Sequence, residues 1–329
     1  MTDTSFEICL APLRGITDAV FRNTYARYFQ GIDRAVSPFL STTQGIKIKN
    51  THFADILPEN NTRLPLVPQV IGNHSAEFVV LAKKIFDLGY KQINLNLGCP
   101  FPKVARKKRG SGFLPYPERL AEFLSEIMKH CPPGALSIKM RLGYCHGDEI
   151  LEVLPVLEDY SLQELIIHPR TGKQMYQGRP DLDRFEKCLE LTRHAVMYNG
   201  DINAPDDFEV LRKRFPVVKS WMIGRGVLRD LFLPARLKGV DLSGVDAVAQ
   251  LKKFHDSLYA AYANRLSGPS HLINRMKGFW YYFAHNFQDG VSILKSIQKV
   301  HRDIHYQGLV ARIFSSTVYR PAGSGSKPN

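Results

Sequence analysis

A closed (β/α)₈ barrel over residues 1–240, an α/β fold, followed by a small all-α helical domain over residues 245–310, is what the sequence predicts. The main observation is that short apolar strand-like runs alternate with amphipathic helical stretches eight times before Val245. Such alternation is the mark of parallel βα units, and eight of them over this length fit a closed barrel better than an open doubly wound sheet. A second observation is that Pro12, Gln69, Asn96, Lys139, His168, Asn199 and Gly224 all fall at or near the ends of those runs, so closure would gather them on one rim. Third, no G-x-G-x-x-G follows the first strand, and Gly224-Arg225-Gly226 comes too late to serve as one.

The elements follow in order. Phe6 to Ala11 is an apolar strand, after which Thr17 is placed to cap a helix striped by Phe21, Tyr25 and Tyr28. Arg34 to Leu40 offers the second strand and Leu64 to Val70 the third, ending at Gln69. Ser75 starts a helix with Phe78, Leu81, Ala82 and Ile85 at helical spacing, closed by Gly89. The fourth strand alternates Ile93, Leu95 and Leu97 with Asn94 and Asn96, and a helix follows from Pro117 to His130. Leu136 to Leu142 is the fifth strand, with Lys139 and Arg141 on one face, and His146-Gly-Asp-Glu leads into the next helix. Glu164 to His168, Val196 to Asn199 and Val217 to Ile223 complete the strands, with helices at Leu182 to Thr192, Pro205 to Arg214 and Val227 to Lys238.

Past a linker at Gly239 to Gly244 the strand signals vanish. Val248, Leu251, His255, Leu258 and Tyr262 stripe one helix, Leu272, Met276, Phe279, Trp280 and Phe283 a second, and Ile293, Leu294, Ile297 and Val300 a third. The tail, residues 320–329, is rich in Gly, Ser and Pro and is expected to be disordered.

Composition narrows the class. With 329 residues, 44% hydrophobic and 23% charged, the chain can bury a large core and is not a disordered protein. The start, M-T-D-T-S-F-E-I-C-L, has no basic region before an apolar run, and no apolar run reaches spanning length, so a soluble cytoplasmic protein without a membrane partner is expected. Five cysteines, Cys9, Cys99, Cys131, Cys145 and Cys188, are scattered and never form C-x-x-C, which argues against a disulfide framework or a metal site. A formal charge of +13 suggests a polyanionic partner.

The chemistry concentrates between Lys91 and Leu114. The fourth strand stops at Gly98-Cys99-Pro100, and since proline neither donates to a sheet nor tolerates a helical residue before it, Cys99 is placed at a strand's carboxyl end with its thiol toward a pocket. Asn94, Asn96, Gly98, Cys99, Pro100, Lys103 and Val104 together resemble the signature N-x-N-x-G-C-P-x-x-K-V of the dihydrouridine synthases, flavoenzymes that reduce a uridine base within folded RNA. The resemblance covers the barrel from about Ala11 to Arg225 and, more weakly, the helical region, where N-R-M-K-G-F-W-Y-Y-F is similar to that family's R-x-K-x-W-x-x-Y helix.

What the resemblance implies is specific. Non-covalent FMN would contact backbone near Pro12, Leu13 and Arg14, in A-P-L-R-G-I-T-D, where Leu13 replaces the usual Met. Gln69, Lys139 and His168 match flavin-contacting positions, and Asn199, Gly200, Asp201, Gly224 and Arg225 match the phosphate site, with Arg225 adding a forked cation. A cation at Lys139 in a water-poor rim would stabilise the anionic reduced ring. Hydride delivered to uracil C6 leaves an enolate that needs a proton at C5, and Cys99 would supply it.

On the RNA side, Asn96 would hydrogen-bond a uracil edge, Tyr176 matches another substrate-side position, and Lys103, Arg141, Arg275 and Lys277 are candidate contacts. The run Arg106-Lys107-Lys108-Arg109 departs from the family's small, glycine-rich loop and reads as a clamp on the RNA backbone. NADPH or NADH would be the electron donor, transfer RNA the substrate, with ribosomal RNA as an alternative, and the protein a monomer. Two other readings remain open: a flavin-barrel reductase of a free pyrimidine, against which the basic charge and the appended helices stand, and a catalytically silent RNA-binding barrel.

Overall fold

The computed structural model describes residues 6–42 and 50–321. The strands of the barrel all run parallel: β1 (Glu7–Leu10), β2 (Arg34–Val36), β3 (Leu40–Ser41), β4 (Leu66–Val67), β5 (Gln69–Ile71), β6 (Ile93–Leu97), β7 (Leu136–Gly143), β8 (Leu165–Thr171), β9 (Val196–Asn199) and β10 (Ser220–Ile223). Two expected strands are each cut in two by a proline, which has no N–H to give a neighbour: Pro38 lies between β2 and β3, and Pro68 between β4 and β5. The pieces still pair in step, β2 with β4 and β3 with β5, and Ser37 N–H donates to Val67 O at 3.0 Å across the break. With β1 between β2 and β10, and β5 through β10 in sequence order, the sheet closes into a barrel.

Around it lie α1 (Ala19–Tyr28), α2 (Ser75–Asp87), the short α3 (Pro102–Ala105), α4 (Pro117–Met128), α5 (Glu149–Glu158), α6 (Leu182–Leu191), α7 (Pro205–Arg214), α8 (Arg225–Arg229) and α9 (Leu233–Leu237). Among the described residues alternation fails once. Between β3 and β4 the described residues form only 3₁₀ turns at Asn50–Phe53 and Pro58–Asn60. There Asn60 and Asn61 turn their amides back onto the carbonyls of Ala54 and Leu57, competing with a helical ladder. The helix expected from Val227 to Lys238 is likewise two pieces, with Pro234 opening the second. Asp18, not Thr17, caps α1, accepting from Phe21 N–H at 3.1 Å, because the Thr17 hydroxyl is taken up by Leu13 N–H and Ala11 O.

Strand residues alternate between two environments. Ile8, Leu10, Ile93, Leu95 and Leu97 face the helices, whereas Cys9, Ala11, Val36, Val67, Ile166, Met197 and Met222 form a separate cluster inside the barrel. The amino end of the barrel is plugged by Arg34, paired with Glu7 at 2.6 Å and Glu164 at 2.7 Å. The carboxyl end is left to the polar strand ends.

Four helices follow: α10 (Ala247–Ala263), α11 (Pro269–Phe283), α12 (Gly290–Lys299) and α13 (Asp303–Ser316), the last beyond the three stripes read from the sequence. They share a core with α1: Phe254 meets Phe21 and Phe29 at 5.9 and 5.3 Å, and Tyr262 donates to Asp18 at 2.8 Å. Phe279, Trp280 and Phe283 are buried, and Trp280 donates to Tyr306 at 2.8 Å. Of the tail expected to be disordered, residues 322–329 lie outside the described residues. Arg320 is anchored, its N–H donating to Asn286 O at 2.8 Å. Among the described residues no helix is long and apolar enough to cross a membrane.

Candidate active site

At the carboxyl ends of the strands the barrel opens into a cavity of about 460 Å³. Pro12, Leu13, Arg14, Gln69, Asn96, Cys99, Lys103, Lys139, Arg141, His168, Tyr176, Asn199, Gly200, Asp201, Gly224 and Arg225 all line it. Parallel register does the gathering: Asn96 lies beside Lys139, Arg141 beside His168, and Met222 beside Asn199.

The turn that presents Cys99 is held by amides. Asn94 and Asn96, two apart on β6, point the same way into the barrel. Asn96 Oδ1 accepts from Gly98 and Cys99 N–H at 3.1 and 2.8 Å, its Nδ2 donates to Gln69 Oε1 at 2.8 Å, and Gln69 passes the chain to Asn94 at 2.8 Å. Asn96 therefore orients the Cys99 turn through its carbonyl, with Gln69 as the partner of one of its two amide N–H groups, and it lines the cavity. On the far side, Gly110 (φ +58°) has no room for a side chain, since a Cβ there would stand 2.7 Å from Cys99 O, while Ser111 donates to that same oxygen from N–H and hydroxyl. Burial pushes the Cys99 thiol up, outweighing the pull of Phe101 N–H and of Arg141, Arg14 and Lys139. At neutral pH it keeps its proton.

The basic loop does not present four equivalent cations. Arg106 and Lys107 are exposed. Lys108 (φ +52°) lies over the Tyr116 ring at 4.4 Å. Arg109 turns inward, donating to Asn73 Oδ1 at 3.1 Å and Thr42 O at 2.9 Å, with Glu77 at 3.8 Å. Its guanidinium stitches the loop to the barrel, a role its place in a run of four cations does not disclose.

Burial and the neighbouring Arg141 bring Lys139 down to about 7. Arg141 spans the rim, donating to Gly98 O at 3.1 Å, Thr171 O at 2.7 Å and Met175 O at 2.6 Å, and burial lowers it to about 10. His168 is held well below its ordinary value by burial and by Arg141, Lys139, Arg170 and Arg225. It is neutral, and because arginine has only donors, the 3.1 Å contact from Arg170 to His168 Nε2 puts the remaining proton on Nδ1. Arg170, fully buried two residues along the same strand face, escaped sequence reasoning although the period-2 rule points to it.

At the phosphate-type end, Asp201 turns its carboxylate to Arg170 and Arg225, each at 3.0 Å from Oδ1. Burial alone would raise the carboxyl, but the Arg170 hydrogen bond and both charges hold it below its ordinary value. Asp201 is thus a brace for cations. Gly200 and Gly226 leave no room for a side chain, since a Cβ would meet Tyr198 OH at 2.7 Å and Ile202 O at 2.0 Å, and Gly224 is tight, with Ala11 Cβ at 3.2 Å from the same position. Asn199 donates to Met222 O at 2.9 Å, pinning β9 to β10. Tyr176 has Arg225 over its ring at 4.5 Å and Arg141 at 5.4 Å. Two further lining residues were missed: Phe101, exposed beside Cys99, and Tyr282, brought from α11.

Arg275 and Lys277 do not line the cavity. Arg275 is spent on Gly15 O and on Asp18 at 3.5 Å, and Lys277 donates to Gln298 O at 2.9 Å, tying α11 to α12. Both side chains thus also serve as ties within the chain.

Comparison with known proteins bears on what this rim is for. Residues 9–287 match the family model described as dihydrouridine synthase. The tRNA-dihydrouridine synthase B of Pasteurella multocida is 28% identical over 231 residues, 69% of this chain and 67% of that protein. The tRNA-dihydrouridine(16) synthase of Pseudomonas putida is 25% identical over 307 residues, 89% and 93% of the two chains. Among solved structures, a morphinone reductase variant superposes with a TM-score of 0.52 at 8% identity, covering 71% of this chain and 87% of that one. A 2-naphthoyl-CoA reductase reaches 0.55 at 11%, covering 70% and 49%. At those identities the likeness is one of fold. A match that starts in β1, runs through every strand of the rim and reaches the end of α11 makes this chain a member of the dihydrouridine synthase family.

Proposed function

We propose that the chain reduces the C5=C6 bond of a uridine in transfer RNA, using FMN held without a covalent link at the barrel rim and NADPH or NADH as the source of electrons. The observation that carries this reading is the convergence of a protonated Cys99 thiol and a buried Lys139 on one cavity that ends in Arg225.

The residues fit the flavin. Pro12, Leu13, Met222 and Ile223 give the cavity apolar wall, Gly200 and Gly226 let backbone close in where a Cβ would clash, and Arg170 and Arg225 share the single carboxylate of Asp201, leaving one positive charge for a phosphate. When bound, the flavin supplies a hydride to C6 of the ring. Cys99 then gives its proton to C5; the thiolate left behind is eased by Arg141, Arg14 and Lys139, whose charges already act on it, and is reprotonated from water. Protonated Lys139 stands beside the negative charge that gathers there, and neutral His168 offers its Nδ1 proton as a donor. The uridine must leave its stack to reach this depth, which asks the surface around the rim to hold folded RNA while one nucleotide is extruded.

An absorbance spectrum of the purified protein, followed by release of flavin on heating, tests the cofactor, and mass detection of dihydrouridine in transfer RNA treated with flavin-loaded protein tests the reaction. A protein that stays colourless in excess FMN sinks the reading.

A further inference from the structure

Beside the cavity, the C-terminal helices bring a second group of residues to the rim. α8 carries Arg225 and, one turn on, Arg229; α11 packs against α8 and presents Tyr281 and Tyr282, with His285 in the turn after it. Tyr282 lines the cavity, and its ring meets that of Tyr281 edge-on at 5.0 Å, so the two rings lead from the cavity to the surface, where Tyr281 is 56% exposed. The charge of Arg225 is matched by Asp201 at 3.0 Å. Among the described residues Arg229 has no such match: its Nε is buried without a hydrogen-bond partner and no carboxylate lies at ion-pair distance. Burial and the like charge of Arg225 lower Arg229, and burial, Arg229 and Arg320 lower His285. A guanidinium half withdrawn from water, beside like charges and without a counterion, is a group whose partner comes from outside the chain.

We propose that Arg229 binds the phosphodiester on one side of the extruded uridine and that the open face of Tyr281 takes the neighbouring base, so that a nucleotide outside the pocket is gripped at the seam between barrel and C-terminal helices. The inference rests on the RNA substrate proposed above. A forked cation suits phosphate, an exposed aromatic ring suits a base of any identity, and their continuity with the cavity through Tyr282 suits a strand whose next nucleotide lies inside it.

The test uses flavin-loaded, full-length protein and an unmodified transfer-RNA transcript, with binding followed over a series of salt concentrations alongside dihydrouridine formation. Arg229→Gln is expected to weaken binding at low salt about 10-fold and to shallow the log K against log salt slope by about 0.7–0.9, one phosphate contact. Arg229→Lys should recover the slope. Tyr281→Ala should weaken binding about 5-fold or more without changing the slope, and Tyr281→Phe should bind as the parent does. If the parent forms dihydrouridine while Arg229→Gln and Tyr281→Ala bind with its affinity and slope, the seam contact is overturned and the proposed function stands. A parent that neither binds the transcript nor modifies it overturns both.

Discussion

Replacing Arg109 by Met separates the two roles open to the basic loop. The side chain is 18% exposed, donates to Asn73 Oδ1 at 3.1 Å and Thr42 O at 2.9 Å, and stands 3.8 Å from Oε2 of Glu77, a 16% exposed side chain whose Oε2 is buried and has this ion pair in place of a hydrogen bond. Arg109→Met keeps the stem and strips both hydrogen bonds, each about 1.5–3 kcal/mol for a charged donor. Partial exposure screens the Glu77 contact and part of the rest, leaving an expected loss of about 2–4 kcal/mol. A chain of 329 residues unfolds with an entropy of about 0.7 kcal/mol/K, so the thermal midpoint should fall by about 3–6 °C. Because Gly110 packs directly against Cys99, the loosened loop should also let a small alkylating reagent reach the thiol faster. The double change Arg106→Ala with Lys107→Ala, at exposed positions, should leave the midpoint within about 1 °C and instead shallow the salt slope of RNA binding by about 1.4–1.8. An Arg109→Met protein that melts with the parent, keeps the parent's alkylation rate and loses only salt slope would refute the assignment of Arg109 as an internal stitch.

Two further outcomes are expected. Cys99→Ala should retain flavin and still oxidise the nicotinamide, yet form little dihydrouridine in single-turnover mixing with RNA; turnover within a few-fold of the parent would mean that another group or water protonates C5. Lys139 lies at about 7 in the folded chain against 10.5 for the free side chain. Between those values the unfolded chain binds more protons, so in the flavin-free protein this residue makes stability rise with pH across that window, and its full cost is present below pH 7. Lys139→Met should therefore melt above the flavin-free parent near pH 6.5, by a margin that narrows toward pH 10, while binding flavin more weakly; a margin independent of pH would show that the amine is not buried in its charged form.

Much of the barrel was legible because its signals are local. The apolar alternation of Ile93, Leu95 and Leu97, the proline after Cys99 and the helical stripe of Phe78, Leu81, Ala82 and Ile85 are each read within a dozen residues, and each reports which way a side chain must point for apolar area to leave water. The same locality placed Cys99 and Arg225 just past strand ends and Lys139 and His168 within strands, and barrel closure then had to bring them to one cavity. What the sequence did not disclose was partners far along the chain. Arg109 reads as one of four loop cations, and only the fold brings Thr42, 67 residues earlier, to its guanidinium, as it brings Gly15, 260 residues away, to Arg275. Asn96 reads by its chemistry as a base contact, and the fold adds Gln69 and the Cys99 turn as its partners. The sequence by itself thus determined which elements form and which side chains can reach the rim, since periodicity and backbone restriction are properties of neighbouring residues. Only the tertiary structure decided which cations are already paired and which, like Arg229, have no carboxylate at ion-pair distance among the described residues, because a charge is satisfied by whatever lies within a few ångströms and the chain order does not carry that distance.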